Sequence, residues 1–401
     1  MMYNVVIIGG GIVGLASALK IKEENPKLKV AVVEKEKDLA THQTGHNSGV
    51  IHSGLYYKPG SYKAKNCVDG YHQLIRFCDE EEIPYEITGK VVVATQKQQI
   101  PTLNMLFERG EANGLKGLKK LVQEEVKEHE PYVAGLQGIF VPQTGIIDYK
   151  RVAEAYADKF RHFGGEIFSD NEVQKIAKIQ NGFLKVVTKN EELTTRLVVN
   201  CAGLQSDLVA KLTGAKVDYQ ILPFRGEYFK IKPDREYLVK NLIYPVPDPN
   251  FPFLGVHFTR MMKGGVEAGP NAVLAYRREG YTKRDINVKE LVSAVTYKGF
   301  RKVASKYWRT GFGEFYRSYS KSAFTKALQQ LIPDIKKSDL IQGGSGVRAQ
   351  ACDRNGGLID DFLIIEGEQY INVGNAPSPA ATSSLAIGEQ IAELVKQRSL
   401  S

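Results

Sequence analysis

Long apolar runs are missing from this 401-residue chain. Nowhere does the sequence offer the roughly 18 consecutive apolar residues that a membrane-crossing helix needs. Its first apolar stretch, Val5–Ile8, is too short for a secretory signal. Cysteine is sparse. Cys67, Cys78, Cys201 and Cys352 show no metal-ligand spacing, so no metal is expected, and free thiols in a reducing cytoplasm are the simplest reading. No aspartate–histidine–serine set appears, which argues against hydrolysis. No nucleic-acid motif stands out. Tryptophan occurs once, as Trp308.

What is present describes a globular enzyme. Hydrophobic residues make up 43% and charged residues 25%, ordinary values for such a chain. The length predicts two domains, because one hydrophobic core rarely grows past about 250–300 residues. The net charge is +9, from 54 basic and 45 acidic residues. Nucleic acid, anionic lipid or an anionic substrate would each suit that sign. Without a nucleic-acid motif the last two are favoured. The blander reading is a merely lysine-rich surface.

The first residues carry the strongest signal. Val5–Ile8 reads as a buried parallel strand. Gly9, Gly11 and Gly14 then make a G-x-G-x-x-G turn, and a helix is expected from near Ile12. The three glycines permit the tight turn, the approach of a pyrophosphate and close helix–strand packing, in that order. The helix start offers N–H groups and a positive dipole end to phosphate. A second strand, Lys29–Val33, ends at Glu34, where an acid is placed to accept from an adenosine ribose. Strand, glycines, helix, strand and acid in this order predict a dinucleotide site, NAD or FAD. The competing reading is a glycine turn in a ligand-free α/β fold.

The far end of the chain bears on that choice. Leu363–Ile365 and Tyr370–Val373 read as strands, and Ser378 followed by Pro379 reads as a helix start. Small residues crowd that entrance. A helix N-terminus there would stabilise the negative charge of a reduced flavin, for which NAD enzymes have no need. Taken alone, it also reads as an ordinary well-capped surface helix. In the middle, Arg196–Leu212 suggests a third strand, then Cys201-Ala202-Gly203, then a helix capped by Ser206. Asn171–Ile176 and Phe183–Val187 suggest a hairpin beside the same sheet.

Between these lies "HQTGHNSGVIHSGLYYKPGSYKAK", His42–Lys65, with short polar donors, glycines and three histidines. It runs into a helix expected over Tyr62–Glu82. With "VNCAGLQSD", "PFRGEY", "GPNAVLAYRREGY", "SGVRAQ" and "NAPSPAATSSLAIG", it makes the chain resemble the D-amino-acid-oxidase-like FAD oxidoreductases along nearly its whole length. Within them it is similar to the branch acting on L-2-hydroxyglutarate. The resemblance implies an α/β fold: a glutathione-reductase-type, Rossmann-like FAD-binding domain with a parallel sheet, plus a mixed-sheet substrate domain facing the flavin. The expected boundaries are 1–84, 148–216 and 335–401 for the first, and 85–147 and 217–334 for the second.

The resemblance also implies roles. Gly9, Gly11, Gly14, Glu34, Lys35, Thr44, His46, Asn47, Ser48, Val173, Ala202, Gly203, Gly346, Pro379 and Ala380 would line the FAD. Oxidising a 2-hydroxy acid requires Cα–H to leave as hydride to flavin N5 while the hydroxyl loses a proton. A neutral histidine suits the proton. His52 is the first candidate, and His257, in the strand-like "LGVHFTR", is the second; either is otherwise a packed structural histidine. Arg348 stands where related oxidases keep the arginine for the substrate carboxylate, a planar bidentate partner. Arg225 is a weaker candidate, balanced against a structural ion pair. Tyr56 and Lys58 are candidates for the distal carboxylate of a small dicarboxylate 2-hydroxy acid.

One further segment stands apart. Tyr297–Leu328 holds eight Lys/Arg, one acid and many aromatics. Such a pattern suits a helix pair at an anionic membrane surface, where a flavin dehydrogenase meets a quinone. A helical flap with core aromatics and solvated charges is the alternative. The expected location is cytoplasmic, with peripheral attachment to the inner face of the cell membrane. Competing functions are a glycine-oxidase-like FAD amine oxidase, a non-catalytic nucleotide-binding regulator, and an NAD dehydrogenase.

Overall fold

The computed structural model describes residues 1–248 and 254–398. Two large sheets organise it. The first is built on Met2–Ile8, which is parallel to Val30–Val33 on one side and to Glu192–Asn200 on the other. Glu166–Phe168 extends one flank, and Tyr370–Asn375 runs parallel to Glu192–Asn200. Alternation makes the first strand central: Val5 and Ile7 enter one hydrophobic cluster, Val6 and Ile8 the cluster on the opposite face. The expected hairpin is present as Val173–Lys178 and Leu184–Thr188.

Helices Ile12–Glu24, Tyr149–His162 and Ser384–Lys396 cover the first of those faces. Gly388 packs its Cα against the backbone of the first helix; a Cβ there would meet Ala16 O at 2.7 Å. The two ends of the chain are thereby joined beside the glycine turn.

The second sheet is mixed and has nine strands. Lys90–Ala94 lies parallel to Leu242–Pro245 and antiparallel to Gln137–Val141. His257–Arg260 pairs with both Leu242–Pro245 and Val266–Gly269. Tyr219–Ile231 pairs along nearly all its length with Leu340–Asp353. That last strand falls inside the segment 335–401 assigned from sequence to the first domain, yet it is hydrogen-bonded into the second sheet. Nothing local marks it; only its partner decides where it goes.

A small three-stranded sheet of Val50–Ile51, Gly145–Ile147 and Tyr85–Glu86 lies between them in sequence and pairing. Two local expectations are corrected. The C-terminal helix begins at Ser384, not Pro379, with turns over 378–383, and the Ser378–Pro379 bond is cis. Ser206 is the first residue of its helix rather than the cap; its Oγ donates to Gly374 O instead. Among the described residues no helix is long and apolar enough to cross a membrane.

Candidate active site

The glycine turn sits at the carboxyl end of the central strand, the place where open α/β sheets bind ligands. Gly9 has φ +113°, and a Cβ on it would meet Cys201 O at 2.5 Å. A Cβ on Gly14 would meet Gly9 O at 2.0 Å, so strand and helix touch backbone to backbone. Gly11 is different: a Cβ there would meet nothing nearer than Thr44 Oγ1 at 3.4 Å. The helix entrance is open where a pyrophosphate would lie. Glu34 follows at the end of the second strand, buried. Its carboxylate accepts from Gly10 N at 2.6 Å and from Glu36 N at 2.9 Å.

The loop after Glu34 draws the distant pieces together. Thr44 Oγ1 accepts from Ile12 N at 3.0 Å and caps the open end of the first helix. A Cβ on Gly203 would meet Gln43 Oε1 at 2.9 Å, and Val173 packs in one cluster with Ala202. Asn47 folds the loop on itself, donating to the Gln43 and Thr44 carbonyls and accepting from Gly49 N. Ser48 follows, half-buried. His46 Nδ1 lies 3.1 Å from Ser345 O, and Gly346 has no room for a Cβ against His46 O. Its ring stacks on Tyr281 at 4.0 Å.

Lys35 turns outward to Glu36 and Glu279 (3.0 and 2.6 Å), and His42 Nε2 joins Glu36 at 2.9 Å. Glu36, His42 and Glu279 are close enough to hold a metal ion, but the Lys35 ammonium already bridges the two carboxylates.

Further along, the backbone N–H of His52 donates to Thr382 Oγ1 at 3.1 Å, and His52 Nε2 lies 3.3 Å from Ser378 Oγ. Tyr149 Oη bonds both Val50 O and Thr382 Oγ1. Segment 378–384, with Pro379 and Ala380, therefore meets the loop at the histidine. In that segment Ser383 Oγ is buried with no hydrogen-bond partner among the described residues. An orphaned buried hydroxyl is costly unless a ligand uses it. Together with the open entrance at Gly11, it fits the dinucleotide that the sequence calls for.

His257 faces the same place from the second sheet. It is buried, stacks on Tyr244 at 4.1 Å, and its Nδ1 is 2.9 Å from Gly255 O. A carbonyl only accepts, so Nδ1 carries the proton and the neutral ring presents Nε2 as an acceptor. Burial first, then the charges of Arg348 and Lys90, push its pKa down to about 4, against the Gly255 hydrogen bond. Burial, Lys90, His257, Lys63 and Arg348 push that of His52 down to about 3. Both imidazoles are neutral at pH 7. Arg348 also acts on Tyr228 and Tyr244. The structure thus brings His52, His257 and Arg348 into one site.

Arg225 does not join them. Residues directly opposite in the antiparallel pair share a face and neighbours alternate. Arg348 opposes Phe224, whereas Arg225 opposes Val347 on the other face. Arg225 is 2% exposed, paired with Glu227 at 3.1 Å and donating to Thr282 O. It is the structural ion pair that the sequence left open. Lys58 is exposed to solvent, and Lys63 is tied to Asp360 at 2.7 Å. Tyr56 keeps a buried hydroxyl with no hydrogen-bond partner among the described residues, and burial holds its pKa well above the usual range.

Sequence reasoning missed Lys90. This lysine is 1% exposed and lies over the rings of Tyr56 (4.6 Å) and Tyr244 (5.1 Å). The only hint in sequence was a lysine opening the apolar run "KVVVA", which reads equally well as a strand's solvent end.

Comparison with known proteins gives the family. Residues 4–394 match the family model described as DAO, FAD dependent oxidoreductase. The chain is 63% identical to L-2-hydroxyglutarate dehydrogenase of Indibacter alkaliphilus, over 99% of this chain and 100% of that protein. It is 47% identical to the mitochondrial L-2-hydroxyglutarate dehydrogenase of Homo sapiens, over 99% of this chain and 89% of that one. A solved structure of L-α-glycerophosphate oxidase from Mycoplasma pneumoniae, dithionite-reduced with FAD bound, superposes with a TM-score of 0.80. It shares 24% identity and covers 99% of this chain and 95% of that one.

Proposed function

The chain belongs to the DAO family of FAD-dependent oxidoreductases, and from that premise we propose that it oxidises L-2-hydroxyglutarate to 2-oxoglutarate. Full-length relatives bearing that substrate's name support the assignment. The observation that carries it is chemical: two neutral imidazoles stand within electrostatic reach of an arginine and a buried lysine.

In this reading Arg348 holds the carboxylate next to the reacting carbon in a bidentate pair. That grip leaves the hydroxyl toward the histidines. His257 Nε2 accepts the hydroxyl proton while the Cα–H departs as hydride, so one proton and one hydride leave and a ketone remains. His52 lines the other side, its backbone fixed by Thr382. FAD, when bound, supplies the two-electron acceptor. The residues that would hold it are Gly11 and the first helix turn for the pyrophosphate, and Glu34 for the ribose. Thr44 to Ser48, Ala202, Gly203, Gly346, Ala380 and the entrance to the Ser384 helix would line the remainder.

The test is an anaerobic visible spectrum of purified protein with each enantiomer of 2-hydroxyglutarate. The L form should bleach the flavin; the D form and glycine should not. Bleaching by an amino acid instead would make the protein an amine oxidase.

A second reading concerns the electrons' destination, oxygen or a membrane quinone. On Val288–Thr296, Val288 and Val292 are 68% and 51% exposed. On Lys298–Tyr319, Trp308, Phe312, Tyr316 and Tyr319 form one exposed face. Lys298, Arg301, Lys302, Lys306 and Arg309 are exposed beside them. Apolar and basic residues on one helical face support attachment to an anionic membrane and transfer to a quinone there. Co-flotation with anionic vesicles at low salt tests it. Trp308→Ala with Phe312→Ala should abolish flotation, and a parent protein that stays unbound would refute the attachment.

A further inference from the structure

Lys90 is the least explained ionisable group in the molecule, and burial pushes its pKa down to about 7. A buried ammonium ordinarily has a carboxylate or several carbonyls around it, since an uncompensated charge in the interior is expensive. Among the described residues Lys90 makes neither kind of contact; its neighbours are the faces of Tyr56 and Tyr244. Cys67 nearby is no counter-ion, because burial pushes its thiol up to about 12. Glu267 opposes Thr259 on the adjacent strand, but it works on Lys230 and Tyr228 rather than on Lys90.

The direction of the side chain is fixed by the sheet. Lys90 shares a face with Val92 and Ala94, which pack with Leu55 and Tyr244. Leu242 and Tyr244 on the neighbouring strand sit opposite Lys90 and Val92. His257 stacks on Tyr244 from the strand beyond. The lysine therefore approaches the histidines from the side of the second sheet, while Arg348 comes from the long hairpin strand. The titratable groups that act on His52 are all basic: Lys90, His257, Lys63 and Arg348. One arginine suffices for one carboxylate. A second basic group in a site of this kind, caged by aromatics and with no acid beside it among the described residues, becomes a full cation when a second anionic group of the ligand meets it.

We propose that Lys90 is the specificity residue for the distal carboxylate, so that the site selects dicarboxylates over the monocarboxylates that lack only that terminal group. The Tyr56 hydroxyl, buried and unpartnered, is positioned to donate to the same group. This rests on the reading of the protein as a 2-hydroxy-dicarboxylate oxidase, but its test does not require turnover.

Unreactive glutarate and butyrate are titrated into the FAD-loaded protein, and the visible spectrum of the flavin reports binding. The parent should bind glutarate at least 10-fold more tightly than butyrate. Lys90→Met keeps the length and apolar stem of the side chain. It should weaken glutarate by about 10- to 100-fold, the worth of a charge-assisted hydrogen bond, and leave butyrate within about 3-fold. Lys90→Arg should restore part of the preference.

Equal weakening of both ligands would overturn the proposal. So would a changed flavin spectrum or potential with the preference intact, which would make Lys90 a cofactor contact. A parent with no preference for glutarate would overturn it as well. If L-2-hydroxyglutarate fails to bleach the flavin while the glutarate preference depends on Lys90, the function falls and the carboxylate site stands.

Discussion

The acid limb of the pH–rate profile follows from the position of His257. In the free protein kcat/KM reports the ionisation of essential groups before substrate binds. An ordinary histidine of pKa ~6.5 is only about 9% unprotonated at pH 5.5. His257 is buried, holds a carbonyl with Nδ1 and feels Arg348 and Lys90; its pKa falls to about 4. At pH 5.5 such a group is still roughly 97% unprotonated. The ratio of kcat/KM at pH 5.5 to that at pH 7 should therefore stay near 1, where an unperturbed base gives a ratio near 0.1. The assay is steady-state dye reduction with L-2-hydroxyglutarate in constant-ionic-strength buffers, with flavin retention checked at each pH. A limb centred near pH 6.5 that vanishes in His257→Gln would show the histidine to be ordinary, and would refute the argument from burial. The stability linkage has the opposite consequence. The unfolded histidine binds its proton near pH 6.5 and the folded one only near 4, so stability falls as pH drops through that window. Acid should unfold the protein before it titrates the base.

Other outcomes separate neighbouring residues. Arg348→Met should lower kcat/KM by 100-fold or more, while Arg225→Met leaves Glu227 with Lys283, Asn271 and Ser318 and should cost about 1–3 kcal/mol of stability with a smaller effect on kcat/KM; urea unfolding and kinetics on both variants distinguish the two arginines. Gly14→Ala puts a Cβ 2.0 Å from Gly9 O and 3.3 Å from Cys201 Cβ. It should destabilise by about 1–3 kcal/mol and release FAD, read as loss of yellow colour on gel filtration.

The dinucleotide turn was legible because its requirements are local. Gly9 and Gly14 are needed by contacts within a strand–turn–helix unit, and Glu34 lies one strand away. The start of the C-terminal helix was misread for a related reason. A Ser-Pro pair is a good local start signal, but Thr382 and Ser383 are claimed by the loop at His52 and by the helix at Gly70. Those contacts keep the segment in turns until Ser384. The two arginines show the limit more sharply. "PFRGEY" and "SGVRAQ" each present an arginine in a strand, and nothing in either string says which face of the sheet it occupies.

The chain's own order of residues determined the glycine turn, the helix entry behind it and the short polar side chains that follow. It did so because three-residue glycine spacing, helix entry and strand burial are properties of contiguous backbone. Which charged side chains come together was decided only by folding. Lys90 and Tyr244 are separated by more than 150 residues, and a parallel register between two strands makes them neighbours. Pairing partners so far apart in sequence leave no periodic trace, so the lysine's burial, its aromatic cage and its company of histidines exist only in three dimensions.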